Sequence, residues 1–174
     1  MSALEQNKTY FLRENTAGGE NGECAFRYVL EGGVLRFCFE VKDEDVVSPY
    51  TQDNDDIWNA DAVEVFISPD GDLKNYKELE VSPFGVRFYG AVFNKDGESP
   101  ALEKQTPPFS ASAELTGTGY RAEIGLPVSA LAGFDEKKMK FNAFRLDKKA
   151  DGRQLLYALS PTLCGSFHRP AYFR

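Results

Sequence analysis

Ile57-Trp58-Asn59-Ala60-Asp61-Ala62-Val63-Glu64-Val65-Phe66-Ile67-Ser68-Pro69, followed by Tyr76-Lys77-Glu78-Leu79-Glu80-Val81-Ser82-Pro83-Phe84-Gly85, decides the fold of this chain. In the first segment Val63, Val65 and Ile67 fall on one side of an extended chain, and Ala62, Glu64, Phe66 and Ser68 on the other. In the second, Glu78 and Glu80 alternate with Leu79 and Val81. Period-two alternation with β-branched residues, ended by Pro69-Asp70-Gly71-Asp72 and Pro83-Phe84-Gly85, predicts two strands bounded by turns.

The same pattern extends outward. Residues 24–31 and 34–41 read as strands joined by Glu31-Gly32-Gly33, a hairpin signal. Further strands are expected at 86–93, 109–115, 120–126, 138–147 and 153–160, separated by Asn94-Lys95-Asp96-Gly97 and Thr116-Gly117-Thr118-Gly119. One short helical turn is expected, from Pro127 to Gly133. Residues 42–56, with Pro49 and the acidic run Asp53-Asn54-Asp55-Asp56, read as a long loop, a place where compact domains often carry function. Short strands at regular spacing with almost no helix predict an all-β, antiparallel β-sandwich. The 174 residues fit one domain, 1–174, with a core that needs no staple.

Composition narrows the function. A net charge of −7 and a pI near 4.8 argue against a nucleic-acid partner, which calls for clustered Lys and Arg. No apolar run is long enough to span a membrane. Met1 to Tyr10 lacks the basic start and apolar stretch of a signal peptide, so the expected location is the cytoplasm, or outside the cell if the chain is a piece of a larger exported protein. Cys24, Cys38 and Cys164 are odd in number and show no C-x-x-C spacing. Reduced thiols are expected, although Cys24 and Cys38 fall on neighbouring strands.

The chemistry concentrates around Trp58, the single tryptophan. An aromatic plate beside strand-borne carboxylates suits an uncharged polyhydroxylated ligand: the ring covers C–H faces and the carboxylates accept from hydroxyls. Each feature also has a structural explanation. Glu64, Glu78 and Glu80 could face solvent, Trp58 could plug a sandwich edge, Arg145 and Asp147 could be an internal ion pair, and His168 could be a hydrogen-bonding structural residue. No nucleophile elbow, P-loop or dinucleotide fingerprint occurs, and no carboxylate spacing is fixed by sequence, so a binder rather than an enzyme is expected.

The segments Trp58 to Ile67, Tyr76 to Pro83, Tyr120 to Pro127, Phe141 to Asp147, and Leu159 to Phe173 with Ser166-Phe167-His168-Arg169-Pro170 resemble, in that order, the family-nine carbohydrate-binding modules. The resemblance implies an immunoglobulin-like sandwich with a short slot for a mono- or oligosaccharide, where two aromatic side chains sandwich a sugar ring. Trp58 matches the first plate, and Phe167 stands where the second, often a tryptophan, is expected. Glu64, Glu80 and Asp147, with Arg145 nearby and His168 at the rim, match the hydrogen-bonding positions. Structural calcium is implied as an option, with 53–56 and 70–72 as suitable oxygen-rich loops. Two other readings remain: a protein-interaction module, and a haem-binding cytochrome-like sandwich in which Met139 and His168 would be the ligands.

Overall fold

The computed structural model describes residues 4–174. Twelve strands form two antiparallel sheets: β1 (Tyr10–Phe11), β2 (Arg13–Glu14), β3 (Cys24–Glu31), β4 (Val34–Lys42), β5 (Ala62–Ser68), β6 (Asn75–Val81), β7 (Arg87–Phe93), β8 (Ala101–Lys104), β9 (Ser110–Thr116), β10 (Gly119–Pro127), β11 (Lys140–Lys148) and β12 (Gln154–Ala158). The five-stranded sheet runs β1-β3-β4-β10-β9 and the seven-stranded sheet β2-β12-β11-β5-β6-β7-β8. The expected sandwich is present, and among the described residues helix is confined to short 3₁₀ turns. Val128–Ala130 falls in the expected place, and Ile57–Asn59 and Pro170–Tyr172 are further turns of the same kind.

Alternation sends Leu35, Phe37, Phe39 and Val41 of β4 against Val63, Val65 and Ile67 of β5 and Leu79 and Val81 of β6, in one cluster between the sheets. Phe141 anchors it, meeting Tyr28 edge-on at 4.9 Å and Phe37 at 5.4 Å between ring centroids. Each such buried side chain contributes roughly 1.5–3 kcal/mol. Gly32 and Gly33 close the β3–β4 hairpin at φ 57° and 75°, the left-handed pair that matches strand twist. Cys24 points into this core, whereas Cys38 lies outward opposite Arg27, and both thiols are free.

The seven-stranded sheet is also buried on its outer face. The loop from 43 to 61 brings Ile57, Trp58 and Tyr50 over Val86 and Phe88. The C-terminal segment brings Phe167 and Phe173 over Phe66, Tyr76 and Phe144. Asn15 holds that segment in place by donating to Cys164 O and Thr162 Oγ1, both at 2.8 Å, and accepting from Thr162 N at 2.9 Å. Phe141 and Arg174 exchange backbone hydrogen bonds at 3.0 and 2.9 Å, fixing the other end.

Candidate functional site

Strand register assembles the site. Ala158, Phe144, Glu64, Glu80 and Phe88 are successive direct partners across β12, β11, β5, β6 and β7, so they form one row on one face. The neighbouring row is Asn142, Phe66, Glu78 and Gly90. Strands about 4.8 Å apart put Phe144 and Phe88 about 14 Å from each other, with the Glu64 and Glu80 backbones between them. The aromatics named from sequence stand at the ends of this row. Phe167 stacks on Phe144 at 4.1 Å and 18°, while Trp58 meets Phe88 edge-on at 5.0 Å.

Trp58 is half-buried rather than a free-standing plate. Gln154 Nε2 donates to its carbonyl at 2.7 Å, and Lys104 Nζ lies 5.2 Å from its ring, held by Asp56 at 2.7 Å. Phe167 is 8% exposed, so part of its ring is already in contact with protein. His168 stacks on Phe66 at 4.7 Å, and its Nδ1 shares a 2.8 Å hydrogen bond with Tyr76 Oη. Asn94 donates to the same oxygen at 3.2 Å. The opposite ring nitrogen, Nε2, lies 3.6 Å from Glu78 Oε2. Burial pushes His168 down to about 4, so the ring stays neutral from pH 5 to 8.

The three carboxylates are buried side by side. Burial, followed by the charge of Glu78, pushes Glu64 well up, and burial with the charges of Glu64 and Glu78 does the same to Glu80. Glu78 is raised to about 7, again by burial first. Glu78 belongs to this group as closely as the two residues carried over by resemblance. Its signal was the alternation it shares with Glu80.

Arg145 and Asp147 do not join them. Arg145 pairs with Val63 across β11 and β5, which places it on the core face, away from Glu64. It lies at one pole of the sandwich, 3.2 Å from Asp147, 3.3 Å from Asp43 and 3.3 Å from Glu23, with Tyr157 at 5.3 Å under the guanidinium. Lys149 adds a 2.8 Å ion pair to Asp147. Asp61 completes the group, accepting from Val47 N and Lys148 N, and burial raises it to about 6. The internal Arg145–Asp147 pair named among the sequence alternatives is present, whereas Asp43 and Asp61 join it from distant segments without a local signal.

In the loops expected to suit calcium, some of the carboxylate oxygens already have partners. Asp53 pairs with Arg87, Asp55 accepts from Thr51 N and Gln52 N, and Asp56 pairs with Lys104. Asp70 and Asp72 accept from the backbone of their own turn. At the pole the Arg145 guanidinium supplies the positive charge. The haem pair also separates: Met139 packs on the inter-sheet core, whereas His168 sits on the outer face over Phe66.

A concavity of about 490 Å³ lies on the outer face of the other sheet, lined by Arg27, Cys38, Glu40, Arg121 and Glu123. Of its charges, Arg121 pairs with Glu40 at 3.4 Å, and Glu123 pairs with Arg36 outside the lining at 2.9 Å. The rings that line it, Phe26 and Phe39, are buried in the core and offer no exposed plate.

The sequence profile of the carbohydrate family 9 binding domain-like family matches residues 2–173. The chain belongs to that family. It is a binding domain and not an enzyme. Among solved structures, a Bacteroides uniformis protein described as carbohydrate-binding aligns with a TM-score of 0.74 at 19% identity, covering 94% of this chain and 84% of the other. A family 9 module from Caldicellulosiruptor kristjanssonii, in complex with cellotriose, aligns at 0.61 and 16% identity over 94% of this chain and 78% of that one. The corresponding glucose complex aligns at 0.59 and 16%, over 95% and 82%. These likenesses show the shared sandwich. A protein of Arthroderma benhamiae described as an extracellular protein is 29% identical over 173 residues, 87% of this chain and 77% of its own length. No helix among the described residues is long and apolar enough to cross a membrane.

Proposed function

We propose that this chain, acting as one module, binds a mono- or oligosaccharide on the outer face of its seven-stranded sheet, without catalysis. The observation that carries the reading is the row Phe144-Glu64-Glu80-Phe88, with Phe167 mounted at one end and Trp58 at the other. The half-buried Trp58 ring supplies apolar cover for C–H faces, and the partly exposed His168 ring offers Nε2 to hydroxyls, with the buried carboxyl groups of the row behind them. Glu80 is fully covered and Glu64 and Glu78 nearly so; a sugar therefore approaches from the side of Trp58 and His168, which keep solvent access. Complexes of family members with cellotriose and glucose support a gluco-configured ligand. The extracellular description of the fungal relative favours an exported host protein over a cytoplasmic one.

A disaccharide of about 23 heavy atoms at roughly −0.3 kcal/mol per atom gives about −7 kcal/mol, a dissociation constant near 10 µM or weaker. Phe167 is stacked on Phe144 and 8% exposed, which leaves Trp58 as the main plate and places this chain toward the weak end. Calorimetric titration with glucose, cellobiose and cellotriose tests the reading. Stoichiometric heat that is lost in Trp58→Ala supports it, and no heat with any of the three contradicts it.

A further inference from the structure

Glu64, Glu78 and Glu80 each offer an oxygen within 4.8 Å of the other two, a distance that two metal–oxygen bonds of about 2.0–2.6 Å span end to end. Glu80 is fully buried and neither of its oxygens has a hydrogen-bond partner outside the trio; the same holds for Glu64 Oε2 and Glu78 Oε2. Among the described residues the only basic nitrogen within ion-pairing distance of the trio is His168 Nε2. Three ionised carboxylates in such a place would each cost several kcal/mol. They are relieved either by retained protons or by a cation.

We infer that Glu64, Glu78 and Glu80 form a site for one divalent metal cation, with His168 Nε2 as a fourth ligand on its open side. Tyr76 Oη fixes the imidazole through Nδ1, and Asn94 in turn holds Tyr76, which is the supporting arrangement that orients a metal-bound histidine. Three carboxylate oxygens and one imidazole suit Mn²⁺ or Zn²⁺ better than Ca²⁺, which takes six to eight oxygens. The pole group Asp43, Asp61 and Asp147 has similar spacing, but Arg145 and Lys149 already sit in it. An ion on the outer face would add a Lewis-acidic point to the floor of the sugar slot.

The test uses the full chain, stripped with EDTA and returned to chelator-free buffer, titrated with MnCl₂ in the absence of sugar. Manganese is the probe because the free thiols of Cys38 and Cys164 would compete for zinc. Uptake is followed by calorimetry and by loss of the paramagnetic resonance signal of free Mn²⁺. The expected result is one ion per chain, with affinity lowered at least tenfold in both Glu64→Gln and Glu80→Gln, and less in His168→Gln. A folded wild-type chain that takes up no Mn²⁺ overturns the inference. Uptake undiminished in both glutamine variants also overturns it, by placing the ion elsewhere. Since no sugar is present, either failure leaves the carbohydrate reading standing.

Discussion

Two groups of three buried carboxylates stand in this sandwich, and their surroundings differ in one respect. At the pole, Asp43 and Asp147 face the Arg145 guanidinium, Lys149 reaches Asp147, and Asp61 accepts two backbone N–H groups. On the outer face, Glu64, Glu78 and Glu80 lie among Phe66, Phe88 and Phe144 with no lysine or arginine partner. Paired burial ties together strands and loops that are distant in sequence, its carboxylates facing cations even though Asp147 Oδ1 and Arg145 Nε find no hydrogen-bond partner. Unpaired burial leaves an excess of acceptors beneath aromatic cover.

Breaking the pole should cost most. Arg145→Met leaves Asp43 and Asp147 buried without their cation, and a loss of about 3–5 kcal/mol is expected in urea unfolding. The matching change on the outer face should act in the opposite direction. Glu80→Gln removes a buried, unpartnered carboxylate and is expected to leave stability unchanged or raise it by about 1–3 kcal/mol at pH 8 in metal-free buffer. A destabilised Glu80→Gln would show that the outer group is as structural as the pole.

The two groups share one pH behaviour. Burial raises Glu78 to about 7 and Asp61 to about 6, so the folded chain keeps protons that the unfolded chain has released. The stability they confer is complete in acid, below the ordinary carboxylate range, and is lost as pH climbs through the folded values. Unfolding free energy of the metal-free chain should therefore fall between pH 5 and pH 8, and Glu78→Gln should flatten the upper part of that fall. Trp58→Ala should abolish sugar binding while costing about 0.5–1.5 kcal/mol of stability for the lost contact with Phe88. The smallest effect is expected at His168. With its ring neutral above pH 5, His168→Gln should alter affinity without altering the shape of the pH profile from 5 to 8. A step near 6.5 that vanishes in the variant would contradict the buried, neutral ring.

Much of this was legible in the sequence, for reasons that also mark where legibility ended. Val63, Val65 and Ile67 are apolar and β-branched on one side only, so the outward position of Glu64 follows from strand period. The same parity places Arg145 and Asp147 with Phe141 and Ala143. In β11, however, the alternate positions Phe144 and Leu146 are apolar too, because both faces of that strand are buried. Periodicity cannot say which face meets the core, and the resemblance to the family drew Arg145 and Asp147 into the site that register denies them. β8 escaped notice because all four of its residues are exposed, and β1 and β2 because they are two residues each. The pole group depends on residues 43, 61 and 147 converging through loops, a contact that no local pattern encodes.

The central claim is that sugar binds on the outer face of the seven-stranded sheet. Its most direct test is amide and indole chemical-shift mapping of the isotope-labelled chain during titration with cellotriose. The expected shifts gather at the Trp58 indole N–H and at the backbone of Glu78, Glu80, Phe167 and His168. Shifts confined to Arg27, Cys38, Arg121 and Glu123, around the concavity of the five-stranded sheet, would contradict the claim.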